Sequence, residues 1–139
     1  MMANTIRRVR YSYLTSLSRP GEAARVLEAL REANINLLAF AGFPQGRNRA
    51  QIDLVTDDHE NLRTVARHEK WKLSRVKRAF LVQGPDAVGA ALAPLAKLGG
   101  AKINVIAAHA IAAGEGRFGM ILWVAPRDYN RAAKLLQAV

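Results

Sequence analysis

The chain repeats itself at a fixed offset of 68 residues. Gly21 recurs as Gly89, Leu27 as Leu95, Leu30 as Leu98, Ile35-Asn36 as Ile103-Asn104, Gly46 as Gly114, Arg49 as Arg117 and Leu54 as Leu122, with no gap anywhere. A duplicated unit this short does not bury its apolar face alone, so the copies are expected to pack together along a pseudo-symmetric seam, where small ligands often bind. The repeat divides the chain into a first unit, 1–72, and a second, 73–139.

Each copy reads as the same string of elements. Arg10 to Ser16 is rich in aromatic and β-branched types and reads as a strand. A helix follows from about Pro20 to Ala33, capped by Ser18 or a neighbour, with Ala23, Val26, Leu27 and Leu30 as its buried stripe. Asn34 suits the left-handed position that ends it. Ile35 to Phe43 and Arg49 to Thr56 form a hairpin around Pro44–Asn48, and Asp57-Asp58 opens a second helix. Leu73 to Gln83 is the next extended stretch. The cycle then repeats: helix Val88 to Gly99, strand Ile103 to Ala112, strand Phe118 to Val124, and a final helix after Pro126. The expected class is α+β, two ferredoxin-like β-α-β-β-α-β units with helices on one face of antiparallel sheets.

The strand count is one short for two such units. Leu73 to Gln83 spans roughly 36 Å at ~3.3 Å per residue, long enough to serve both. Arg7 and Arg10 match Arg75 and Arg78 in the same register, so Thr5 to Thr15 is expected to be an equally long strand. It would supply the fourth strand of the second unit.

The duplicated residues bear a resemblance to the ACT domain, the small-molecule-sensing module of amino-acid metabolism. The pattern is a loop with glycine at the helix start (Ser18-Arg19-Pro20-Gly21; Asp86-Ala87-Val88-Gly89), Leu-x-x-Leu in the helix, and an Ile-Asn step into the second strand. It covers nearly the whole chain as a tandem pair. The resemblance implies a ligand held between two units, touching this loop and the second-strand Asn. Carried over by position, the candidates are Ser16, Ser18, Arg19, Gly21 and Asn36 in the first copy, and Gln83, Asp86, Val88, Gly89 and Asn104 in the second. Glycine in the first helical turn would let a carboxylate approach unpartnered backbone N–H groups, and Asn36 and Asn104 carry both donors and acceptors. The bland roles are helix-start sterics for each glycine and a turn or cap for each asparagine. Asp86 could meet a ligand ammonium. The first loop has no acidic residue before Gly21, and Val88 stands where the family usually has Pro.

Composition narrows the rest. With no cysteine there is no disulfide framework and no thiolate chemistry. No apolar run is long enough to cross a bilayer, and the N-terminal segment from Met1 to Arg8 lacks a signal-peptide stretch, so the expected location is cytoplasmic. The net charge of +10 concentrates at Arg7, Arg8 and Arg10, and again at Arg63, Arg67, Lys70, Lys72, Arg75, Lys77 and Arg78. Three readings stand: a solvated face, an acidic partner or anionic ligand, and nucleic acid.

Other signals carry less. Gly114-Glu-Gly116-Arg-Phe-Gly119 spells a dinucleotide fingerprint, but a strand follows it where the motif needs a helix. His59, His68 and His109 lack metal-ligand spacing, so neither metal nor cofactor is expected. No nucleophile or carboxylate pairing marks a catalyst. The expected function is a non-catalytic sensor that binds an amino acid or similar small anion, homodimerises and modulates an enzyme. The rival is a ferredoxin-like nucleic-acid module using Arg75, Lys77 and Arg78 with Tyr11, Tyr13 and Phe80.

Overall fold

The computed structural model describes residues 4–139. Positions 1–3, which open the first repeat unit and the segment read as free of a signal peptide, lie outside the described residues. The class is α+β: strands β1 (Thr5–Leu17), β2 (Ala39–Pro44), β3 (Arg49–Val55), β4 (Lys77–Pro85), β5 (Val105–Gly114) and β6 (Arg117–Val124), with helices α1 (Glu22–Glu32), α2 (His59–Glu69), α3 (Leu92–Gly100) and α4 (Tyr129–Leu136). The chain divides into two compact units. Arg10–Lys77 is one, and residues up to Val9 together with Arg78–Val139 are the other.

In the first of these, β3 pairs antiparallel with β1 and with β2. In the other, β6 pairs antiparallel with β4 and with β5. The register repeats with the sequence. Leu14 faces Ile52 and Val82 faces Met120; Ser16 faces Ala50 and Gly84 faces Phe118; Ala39 faces Val55 and Ala107 faces Trp123. A one-residue slip would turn every core side chain to the wrong face, so the matching registers mean that both copies bury matching positions, apart from shifts at the two ends of the β5–β6 ladder. Leu14, Leu30, Ile35, Ile52 and Leu54 fill one core. Val82, Leu98, Ile103, Met120 and Leu122 fill the other.

Residues 5–9 of β1 belong to the unit of Arg78–Val139. Ile6 packs on that unit's core. The Arg8 N–H donates to the Val139 carbonyl at 2.8 Å and the Val139 N–H to the Ile6 carbonyl at 2.9 Å. A Cβ added at Gly84 would run into the Asn4 side chain and lie 3.3 Å from the Asn4 Cα, so β4 passes close to Asn4 and a larger residue would make that side chain move aside. The other half of β1 is clipped to the 71–76 segment, where the Ser74 N–H donates to the Tyr13 carbonyl at 2.8 Å and the Tyr13 N–H to Ser74 Oγ at 3.0 Å.

All four helices end alike. One or two positions past each one stands a left-handed residue that is not glycine: Lys70 and Gln137 directly after α2 and α4, Asn34 and Lys102 one residue further on after α1 and α3, with φ between 55° and 61°. Behind α1, the Ile35 N–H reaches the Leu30 carbonyl and the Asn34 N–H the Arg31 carbonyl; behind α3, Ile103 reaches Leu98 and Lys102 reaches Gly99. This double return closes the orphaned last carbonyls of a helix.

Several local expectations are revised. The N-cap of α1 is Gly21, with no side-chain cap, in place of Ser18. Of the anticipated α1 stripe, Val26 and Leu30 are buried, whereas Ala23 and Leu27 are exposed. α3 begins at Leu92 instead of Val88. Pro94 explains the delay: in a helix begun at Val88 its ring would meet the Ala90 carbonyl in the helix interior, whereas from Leu92 it falls in the tolerant first turn. Glu115 and Gly116, with φ of 55° and 71°, make the two-residue turn between β5 and β6. The G-x-G-x-x-G string is therefore a hairpin.

Candidate ligand-binding site

The two β–α loops are held in the same way. After β1, the Ser18 N–H donates to the Asn48 carbonyl at 2.9 Å; after β4, the Asp86 N–H donates to the Gly116 carbonyl at 2.8 Å. Both bonds tie a loop to the turn of the neighbouring hairpin, and their four residues are 68 apart in pairs. Gly21 and Gly89 follow with φ of 86° and 76°. A Cβ at either would meet nothing within 4 Å. Glycine is therefore favoured by the left-handed backbone, where a side chain is strained, and crowding by a neighbour is not the reason.

Beyond that the loops diverge. In the first, Arg19 Nε donates to Glu22 Oε1 at 3.1 Å and Arg25 Nη2 to Glu22 Oε2 at 2.8 Å. These bonds, Arg25 foremost, hold the Glu22 carboxyl below its ordinary range. Arg19 is thus engaged by a carboxylate that the sequence reading passed over, three residues downstream on the helix. Ser16 Oγ donates to the Leu17 carbonyl at 3.3 Å, and Ser18 is exposed. In the second loop, the carbonyls of Ala87 and Gly89 accept from the N–H groups of Ala90 and Leu92, at 3.0 and 2.9 Å. Gly89 therefore sits in a turn ahead of α3, outside its first helical turn. Asp86, Val88 and Gln83 are all exposed.

Asn36 and Asn104 each follow a buried isoleucine and are exposed. The Asn36 carbonyl accepts from Thr56 Oγ1 at 2.9 Å. Asn36 lines a cleft of about 390 Å³ at the end of α1 with Leu27, Leu30, Arg31, Asn34, Ile35 and Leu37. The cleft lies at the far end of the helix from Gly21. α1 has 11 residues and α3 has 9, or ~16 Å and ~14 Å at ~1.5 Å each. Loop and asparagine of one unit therefore do not meet on one small ligand.

The other signals resolve locally. Among the described residues no group of His, Asp and Glu is placed to hold a metal, and no helix is long and apolar enough to cross a membrane. Ser12 Oγ and His59 Nε2 lie 2.9 Å apart, both in buried side chains, and the pair reads as a satisfied buried hydrogen bond. His59 was expected near an exposed helix face; it faces inward from the first turn of α2. The aromatics of the nucleic-acid reading are engaged as well. Tyr11 and Phe80 are buried, Phe80 stacks on Tyr129 at 4.5 Å, and Arg78 covers the Tyr129 ring at 4.0 Å. Tyr11 and Phe80 so enclosed offer bases no stacking platform, and Tyr13, half-buried, has Lys77 Nζ over its ring at 5.5 Å.

Burial, reinforced by Arg10 and Arg63 and opposed by Glu60, lowers the His59 pKa below its ordinary value. The unfolded chain then takes up this proton first, so stability contributed by neutral His59 is lost as pH falls below about 6.5. Chemical denaturation of the Arg10–Lys77 unit at about pH 7.5 and about 5.5 should show a lower midpoint in acid, and His59→Gln should flatten the difference. An equal slope in the variant would refute this assignment.

No protein-family model matches the sequence, and neither does any curated protein. Solved structures do match. A protein from Bacteroides thetaiotaomicron superposes with a TM-score of 0.73 at 15% identity, over 96% of this chain and 88% of that one. The ligand-free regulatory subunit of aspartate kinase from Thermus thermophilus gives 0.61 at 17%, over 97% and 93%. The corresponding Thermus flavus subunit gives 0.59 at 18%, over 97% and 94%. The fold is ACT-like. At these identities the likeness is one of fold, and this ACT-like chain shares it over almost its full length.

Proposed function

We propose that this ACT-like protein is a non-catalytic regulatory sensor, built from two ferredoxin-like units, that binds an amino acid or similar small ligand and modulates a partner enzyme. The observation that carries the reading is the pair of β–α loops, each tied to its hairpin by the same backbone bond and turned by the same left-handed glycine. The fold shared with aspartate kinase regulatory subunits agrees with it. Because loop and asparagine lie at opposite ends of a helix, a ligand touching both needs two units, from one chain or from two. Ser16, Ser18, Arg19, Gly21 and Asn36, and Gln83, Asp86, Val88, Gly89 and Asn104, remain the candidates. With Arg19 engaged by Glu22, the Asp86 loop is the one suited to an ammonium. A homodimer is part of the same proposal: β5 is an edge strand, exposed along most of its length, and residues 105–113 carry no Lys, Arg, Asp or Glu. The proposed location is cytoplasmic.

Thermal denaturation against each of the twenty amino acids tests the function. A ligand that binds only the folded state adds about 2.7 kcal/mol at a hundredfold excess over its Kd. At least one amino acid should raise the Tm and its N-acetyl derivative should not. No shift with any of them would overturn the reading.

A further inference from the structure

The second basic cluster has no part in the loops, yet the structure gives it a concave home. α2 and the 71–76 segment enclose a cleft of about 590 Å³, lined by His59, Arg63, Ala66, Arg67, Trp71, Leu73, Ser74, Arg75 and Val76. We propose that this cleft, whose Arg63, Arg67 and Arg75 surround an apolar floor of Ala66, Trp71 and Leu73, binds a small phosphorylated molecule with a flat apolar body, the chemistry of a nucleoside monophosphate. The site goes beyond the sensing loops and does not depend on them.

Four observations carry the inference. Its volume lies in the range of sites that enclose small organic ligands. Its lining contains three arginines and no carboxylate. Among the described residues none of the three is in an ion pair; Arg67 Nη2 reaches only Thr64 Oγ1, at 3.4 Å. Arg63 and Arg67 stand one helical turn apart on α2 and Arg75 comes from the 71–76 segment, so the three arginines of the lining are contributed by two different stretches of chain. A monocarboxylate needs one such fork. Several planar forks suit a tetrahedral dianion with three acceptor oxygens.

The walls are also fixed in place. Ser74 holds its segment to β1 through its N–H, which donates to the Tyr13 carbonyl, and its Oγ, which accepts from the Tyr13 N–H and donates to the Arg75 carbonyl at 2.9 Å. The Trp71 N–H closes on the Ala66 carbonyl at 2.8 Å, and its half-buried side chain packs against the core. The indole gives the flat part of a ligand a surface to cover. A nucleic-acid strand would need successive stacking platforms, which the buried Tyr11 and Phe80 do not supply.

Isothermal titration of the full chain with AMP tests the proposal. Saturable binding is expected, weakened at least tenfold (~1.4 kcal/mol) by Arg67→Ala and by Arg75→Ala. Both side chains are exposed, so the ligand-free Tm should stay put. Arg67→Lys should recover only part of the loss, because an ammonium lacks the fork. Inorganic phosphate should bind at least tenfold more weakly than AMP. Asp86→Asn should leave AMP binding unchanged, which separates this site from the amino-acid loops. Absence of saturable AMP binding, equal affinity in the arginine variants, or equal affinity for inorganic phosphate would overturn the proposal. So would an acidic peptide or an oligonucleotide binding more tightly than AMP at the same arginines.

Discussion

A chain that begins at Arg10 should lose the cooperative folding of residues 78–139 while keeping that of Arg10–Lys77. The truncation removes Ile6 from the core around Phe80 and Leu98, buried Val9, and both backbone bonds to Val139. Burying a side chain of this size is worth about 1.5–3 kcal/mol and each hydrogen bond about 1 kcal/mol. Several kcal/mol is a large share of the ~5–15 kcal/mol that holds a small domain together. Hydrogen exchange read by mass spectrometry gives the two halves separately. Protection in β4 and β6 should collapse and that in residues 10–17 of β1 and in β3 should persist. Unchanged protection across 78–139 would show that residues 5–9 are not structural.

Asp86→Asn should weaken amino-acid binding about 10- to 100-fold. A hydrogen bond to a charged partner is worth about 1.5–3 kcal/mol, and the amide keeps the shape while losing the charge. Asp86 is exposed and the loop is tied to Gly116 through its backbone N–H, so the ligand-free Tm should hardly move. Arg19→Gln is the contrasting variant. Its guanidinium is spent on Glu22, so binding should change less than twofold. If Arg19→Gln did the damage and Asp86→Asn did none, the ligand's ammonium would not be read at the second loop.

The repeat made most of the fold legible. The 68-residue offset anticipates the strand registers, because a buried face leaves only one alignment of Leu14 on Ile52 and of Val82 on Met120. Asn34 announced the end of α1 through the tolerance of asparagine for left-handed backbone. Lys102, in the same conformation, carries no such signal. The start of α3 was missed although Pro94 marks it, since the apolar spacing of Leu92, Leu95 and Leu98 suits a longer helix as well. His59 looked exposed because its neighbours on α2 are polar; its buried ring finds its hydrogen-bond partner in Ser12, 47 residues away. The candidate site was only half legible. The helix expected over Pro20–Ala33 already lies between Gly21 and Asn36, and its length, ~16 Å at ~1.5 Å per residue, is what keeps the two from sharing one small ligand within a unit.

The repeated backbone makes the molecule its own reference sample. Asn34 and Lys102 have φ of 58° and 61° and close the same pair of carbonyl bonds at the ends of α1 and α3. Replacing each by glycine in turn would measure, in one protein and one buffer, what asparagine and lysine separately cost in a left-handed position. Few single chains offer that comparison, because it needs two sites matched in conformation and unmatched in side chain.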